Sequence, residues 1–149
     1  MEDTVALEFL QRQARGTKFI TSVCTGSLVL GAAGLLKGYR ASTHWTAMDA
    51  LAPFGAIPTK TRVCVDRNRI TGGGVTAGID FALTMVAQLV DRRTAEAIQL
   101  RLEYNPAPPF NAGSPDTAPA EILSLMKERI APAQQRRGEA IARAAARLN

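Results

Sequence analysis

A chain of 149 residues fits one domain, and 46% hydrophobic against 21% charged residues describes a globular protein with a packed core, not a disordered or fibrous one. Two cysteines without a framework of close spacings exclude a disulfide scaffold and fit a reducing compartment. Of the net charge of +5, an excess of four arises from Lys127 onward, where six basic residues face two acidic ones; no aromatic is interleaved with those arginines, so a solvated helix face is expected there and nucleic acid is not.

In chain order, Met1 to Thr4 carries two acids and no basic lead into an apolar block, so no secretory signal is visible and a cytoplasmic location is expected. Asp3 caps a helix predicted from Val5 to Ala14, whose apolar face is Ala6, Leu7, Leu10 and Ala14 and whose stop is Gly16. Phe19 to Val23 is rich in β-formers and nearly continuous in apolar character, as a strand covered on both faces requires. A helix from Thr25 to Ala33 follows and ends at Gly34. The whole run from Phe19 to Leu36 is long enough to span a membrane, but its Thr, Ser, Cys and Gly residues suit a buried strand-turn-helix instead.

Between that strand and helix, Ser22, Cys24 and Gly26 occupy the informative places of a small-x-nucleophile-x-small elbow. Small neighbours are needed because the turn is too tight for bulk. An arbitrary free cysteine packs as a small hydrophobe. This one is set apart by the strand before it and by the helix start behind it, where unpaired amides and the helix dipole favour a thiolate. The same amides suit a developing negative charge.

Further on, Gly38 to Ala41 reads as a short strand or connection, and the stretch after His44 and Trp45 as a helix of about two turns to Leu51, ended by Pro53, Gly55 and Pro58. Thr61 to Val65 and Arg69 to Thr71 form a predicted hairpin about residues 66–68, with Cys64 in its core. Gly72, Gly73 and Gly74 then open the longest apolar helix, Ala77 to Val90. No P-loop Lys-Ser/Thr and no G-x-G-x-x-G is present, so the three glycines are read as close packing against the elbow. Asp91 caps a helix from Thr94 to Leu102. Residues 104–118, with four prolines, are irregular and lie over a surface. Two helices, Ala120 to Ile130 and Ala133 to Leu148, end the chain. Strand–helix alternation with a nucleophile at a strand's carboxyl end points to an open α/β sheet with its site outside the strand ends.

The segments Ser22–Leu36, Ala41–Trp45, Thr71–Asp80 and Leu102–Ala118 resemble the ThiJ/PfpI superfamily, most closely its isonitrile hydratase subgroup, over essentially the whole chain. The resemblance implies a flavodoxin-like, class I glutamine amidotransferase-like fold: an open, mostly parallel sheet with helices on both faces. Residues 1–149 would be a single domain with residues 119–149 as C-terminal helices. It would be partial, since the family's first third, with its catalytic carboxylate and a Gly-Gly turn, precedes the stretch matched by Met1; neither Asp49 nor Asp80 is assigned that role.

The resemblance also implies an enzyme that hydrates a small-molecule isonitrile to an N-substituted formamide through Cys24, with Thr25 and Gly26 polarising the substrate. No cofactor, metal, nucleic acid or membrane is required, and a homodimer is expected. Thr25 stands where the superfamily's peptidases carry His, which argues against a peptidase. His44 is read as structural, at a helix start. The alternatives are a ligand-sensing domain of the kind fused to helix-turn-helix regulators, and an inactive fragment.

Overall fold

The computed structural model describes residues 1–148. Helix α1 is Thr4–Ala14, and the Asp3 side chain accepts from the Ala6 amide at 3.1 Å, which satisfies one of the free donors of the first turn. Strand β1, Ile20–Val23, runs into a sharp turn at Cys24, after which α2 occupies Gly26–Ala32. There follow β2 (Arg40–Ala41), β3 (Ile57–Pro58), β4 (Val63–Asp66), β5 (Arg69–Gly72), α3 (Ala77–Leu89), α4 (Arg92–Arg101) and α5 (Ala120–Ala146).

Strand order in the main sheet is β1-β5-β4. The β1–β5 pairing is parallel, from Ile20 opposite Arg69 to Val23 opposite Gly72. The β5–β4 pairing is antiparallel because only Arg67 and Asn68 separate the strands, too short a link for a parallel crossover. The main sheet among the described residues is therefore mixed, with the expected hairpin supplying its one antiparallel pairing. Strands β2 and β3 form a small parallel pair of their own.

The register sorts the side chains. Ser22 and Thr71 share the face that meets α2, while Val23 and Gly72 share the opposite face, where Phe81 of α3 packs. Helices thus cover both faces. The main core lies on the α2 side, where Leu28, Leu36, Leu51, Phe54 and Ile141 are buried together with Leu7 of α1.

Two expectations are corrected. The stretch before Phe54 is not an α-helix but two successive 3-10 turns, Trp45–Ala47 and Asp49–Phe54. Pro53 has no N–H to reach back along the chain, and the second turn runs through it to close at Gly55, whose φ of 73° suits glycine. The C-terminal pair of helices is one helix of 27 residues with Pro132 inside. An interior proline costs about 3 kcal/mol and removes the donor for the Glu128 carbonyl. Packing of Ile141 and Ala144 into the core offsets this, with about 1.5–3 kcal/mol available for a fully buried Ile. Polar bonds from Gln134, Arg137 and Arg143 to distant parts of the chain add to it.

One close approach fixes how α2 meets the second 3-10 turn. A methyl group on Gly31 would lie 2.6 Å from Cδ2 and 2.9 Å from Cγ of Phe54, a ring that is only 2% exposed and has nowhere to move. Gly31→Ala is expected to destabilise the protein by about 1–3 kcal/mol through overpacking. An unchanged urea midpoint would show that the two elements separate freely.

Candidate active site

Three segments converge on Cys24. Its φ is 58°, in the left-handed region that non-glycine residues avoid, at a cost on the order of 1–3 kcal/mol. The conformation is held from two sides. The Cys24 amide donates to the carbonyls of both Gly73 (2.8 Å) and Gly72 (3.1 Å), at the end of β5. The Cys24 carbonyl accepts from Thr43 Oγ1 at 2.8 Å. Ser22 and Gly26 are as close as the pattern requires, since a methyl on Gly26 would lie 3.4 Å from Ser22 Cβ. Cys24 and Gly26 are half-buried, and the Thr25 side chain makes no capping bond to α2.

Below the elbow, hydroxyl groups take the place of apolar packing. Ser22 Oγ and Ser27 Oγ lie 2.7 Å apart, Ser27 Oγ donates to the Ser42 carbonyl at 2.7 Å, and the Ser42 amide donates to Thr71 Oγ1 at 2.8 Å. Ser27, Ser42, Thr43 and Thr71 are all buried. A buried hydroxyl left unpaired costs about 1–3 kcal/mol, and among the described residues no buried side-chain polar atom lacks a partner. The sequence reading did not identify this network. Its only trace was a recurrence of Ser and Thr where strand and helix positions should be apolar.

The glycine run behaves as backbone packed tightly on its neighbours. Gly73 donates to the Arg62 carbonyl at 2.9 Å, and a methyl on Gly74 would lie 3.4 Å from His44 Cδ2. His44 caps the first 3-10 turn. Its Nδ1 accepts from the Thr46 amide (3.3 Å) and lies 2.8 Å from Thr46 Oγ1. With Nδ1 an acceptor, the proton of the neutral ring sits on Nε2. Burial holds the imidazole below the usual histidine range, and the positive charge of Arg137 lowers it further.

Neither carboxylate set aside earlier stands free at the elbow. Asp80 Oδ2 accepts from Arg62 Nε (2.6 Å) and from the Tyr104 hydroxyl (2.9 Å), and these bonds tie the start of the 104–118 segment to α3. Asp49 lines a cleft with Thr46, Arg137 and Ile141; a second, apolar cleft runs between Trp45, Pro115, Ile122 and Met126. Cys24 lines neither. Among the described residues no group of three His, Cys, Asp or Glu side chains is placed to hold a metal ion, and no helix is long and apolar enough to cross a membrane.

Comparison with known proteins gives this geometry a context. The model of the DJ-1/PfpI family matches residues 1–88. The chain is 57% identical over all 149 residues to isonitrile hydratase of Pseudomonas putida and spans 65% of that protein's length. It is 41% identical over 98 residues to the HTH-type transcriptional regulator GbdR of Pseudomonas aeruginosa, covering 64% of this chain and 27% of the regulator. Superposed on the crystal structure of a ThiJ/PfpI family protein from Pseudomonas syringae, it gives a TM-score of 0.89 at 57% identity, over 94% of this chain and 57% of that one.

The half-buried imidazole sets a pH dependence with a definite sign. A histidine depressed in the folded state binds its proton less readily than the unfolded chain does, so stability is complete above the unfolded value of about 6.5 and declines as pH falls below it. The depressed carboxyls of Glu2, Asp66 and Asp91 act only at lower pH, below their own unfolded values near 4. His44→Gln is expected to flatten the fall in urea midpoint between pH 7.5 and 5.5. An equal fall in the variant would assign the effect to other groups.

Proposed function

Since the chain belongs to the DJ-1/PfpI family, we propose that it acts as an isonitrile hydratase-like enzyme, with Cys24 as nucleophile. The observation that carries the reading is the clamped left-handed conformation of Cys24 at the carboxyl end of β1, where the helix start brings the Thr25 and Gly26 amides next in the chain. The 57% identity to isonitrile hydratase across the full chain supports the choice of substrate class.

An isonitrile, R–NC, is electrophilic at its terminal carbon. The Cys24 sulfur adds there and forms a C–S bond, while the carbon takes up a proton from a carboxylic acid. The resulting thioimidate is attacked by water at the same carbon. The C–S bond then breaks, R–NH–CHO leaves and the thiol is restored. One water is consumed and no electrons are transferred, so the sequence needs no redox partner. Thr25 and Gly26 amides polarise the substrate, and the Thr25 hydroxyl adds a hydrogen bond. The proton donor is not assigned among the residues described. A homodimer belongs to the same reading, supported by the exposed apolar residues Ile79, Leu89, Val90 and Leu100 on and beside α3 and α4.

A second reading, a domain that binds a small ligand without turnover, is favoured by the likeness to part of the GbdR regulator. The two are separated by one assay. Incubation with cyclohexyl isocyanide is expected to give the formamide, at a rate that falls roughly 10³-fold or more in Cys24→Ala and about twofold to tenfold in Thr25→Val, the worth of one hydrogen bond. Saturable binding without product would favour the sensor, and turnover that survives Cys24→Ala would reject the covalent route. Sedimentation is expected to show a dimer.

A further inference from the structure

The C-terminal helix reaches the neighbourhood of the elbow through a short chain of polar contacts. Gln134 Nε2 and Arg137 Nη1 both donate to the Thr46 carbonyl, 88 and 91 residues away in sequence. Arg137 Nη1 also lies 3.2 Å from Gln134 Oε1 and 3.4 Å from Thr46 Oγ1. Thr46 in turn lies against His44 Nδ1 with both its amide and its hydroxyl. The His44 ring faces Gly74, where an added methyl would lie 3.4 Å from Cδ2, and Gly74 directly follows the two carbonyls that hold the Cys24 amide. The residue before His44, Thr43, holds the Cys24 carbonyl. Displacing residues 43–46 therefore loosens Cys24 from one side directly and from the other through the glycine run.

We infer that Gln134 and Arg137 are positioning residues for Cys24, acting from α5 through Thr46 and His44. The inference rests on the reading of Cys24 as nucleophile and extends it to a helix that packs on α2 and on the second 3-10 turn. Arg137 has two roles here. Its bonds fix the backbone at Thr46, and its charge disfavours a second charge on His44. The other titratable groups on the elements around the ring are Asp49 on the second 3-10 turn, Cys24 at the elbow, and Arg62 with Asp80, which pair with each other beyond the glycine run. None of these adds to the field that lowers the imidazole.

The test uses the full chain and its single histidine. Nitrogen-15 NMR of His44 is expected to show the Nε2–H tautomer in the parent protein. In Arg137→Gln the tautomers mix, the ring titrates closer to the ordinary histidine value, and alkylation of Cys24 by iodoacetamide, read by peptide mass to separate it from Cys64, slows on the order of tenfold. Arg137→Lys keeps the charge but not the planar fork, so it is expected to restore the titration and only part of the alkylation rate. Thr46→Val, which removes one hydroxyl and leaves the carbonyl bonds, is expected to change the tautomer even if the arginine variant fails to fold. A variant that lowers only the melting temperature, with tautomer and alkylation rate per folded molecule unchanged, overturns the inference. Should the parent chain produce no formamide while tautomer and alkylation respond as described, the hydratase reading fails and the positioning role stands.

Discussion

The shared hydrogen bond from the Cys24 amide to the carbonyls of Gly72 and Gly73 is the constraint on which the rest depends. A cysteine in the left-handed region costs on the order of 1–3 kcal/mol, and each ordinary hydrogen bond returns about 0.5–1.5 kcal/mol. The amide bonds and the Thr43 contact together are therefore of the size needed to hold the conformation. They exist only because β1 and β5 run in parallel with Val23 opposite Gly72. A slip of one residue would carry the Cys24 amide past its acceptors and turn Ser22 from the α2 face to the α3 face. The elbow is thus a property of the strand pairing more than of the loop.

Parallel register in turn leans on what lies beneath it. Side chains of Ser22, Ser27 and Thr71, with the Ser42 backbone, form a connected set between the sheet and α2, and every buried member is paired. Apolar groups of similar size would stabilise the layer as well, but they would accept several rotations and offsets. Hydroxyl groups accept few, because a small shift leaves a donor or acceptor unpaired in a dry interior. On the face with the elbow, the chain has traded interchangeable packing for a fixed geometry.

Much of this was legible in the sequence, and the reason is locality. Asp3, the small residues around Cys24 and the turn between β4 and β5 each specify structure within a few positions, and the fold follows them. Family resemblance carried the choice of fold further than periodicity did, since four short segments supplied it. What sequence did not reveal acts over distance. Pro132 reads as a break, yet the helix continues because its far half is held by Thr46, Glu2 and the core. The 3-10 turns look helical in composition, and only Pro53 and the His44 cap hint at tighter winding.

Side-chain commitments around the elbow also bear on the kind of chemistry the site is suited to. A cysteine peptidase needs an imidazole lone pair directed at its thiol. Here Thr25 follows the cysteine, and the chain's only imidazole has its Nδ1 lone pair engaged by Thr46 and a proton on Nε2, so it is available as a donor and not as a base. Asp80 Oδ2 is occupied by Arg62 and Tyr104. What these residues leave at the elbow is a sulfur, a set of amides and a hydroxyl, the groups that the proposed addition to an isonitrile carbon calls on. Peptide hydrolysis, where nucleophile activation and leaving-group protonation both fall to one neighbouring base, asks for the group that this sequence places elsewhere.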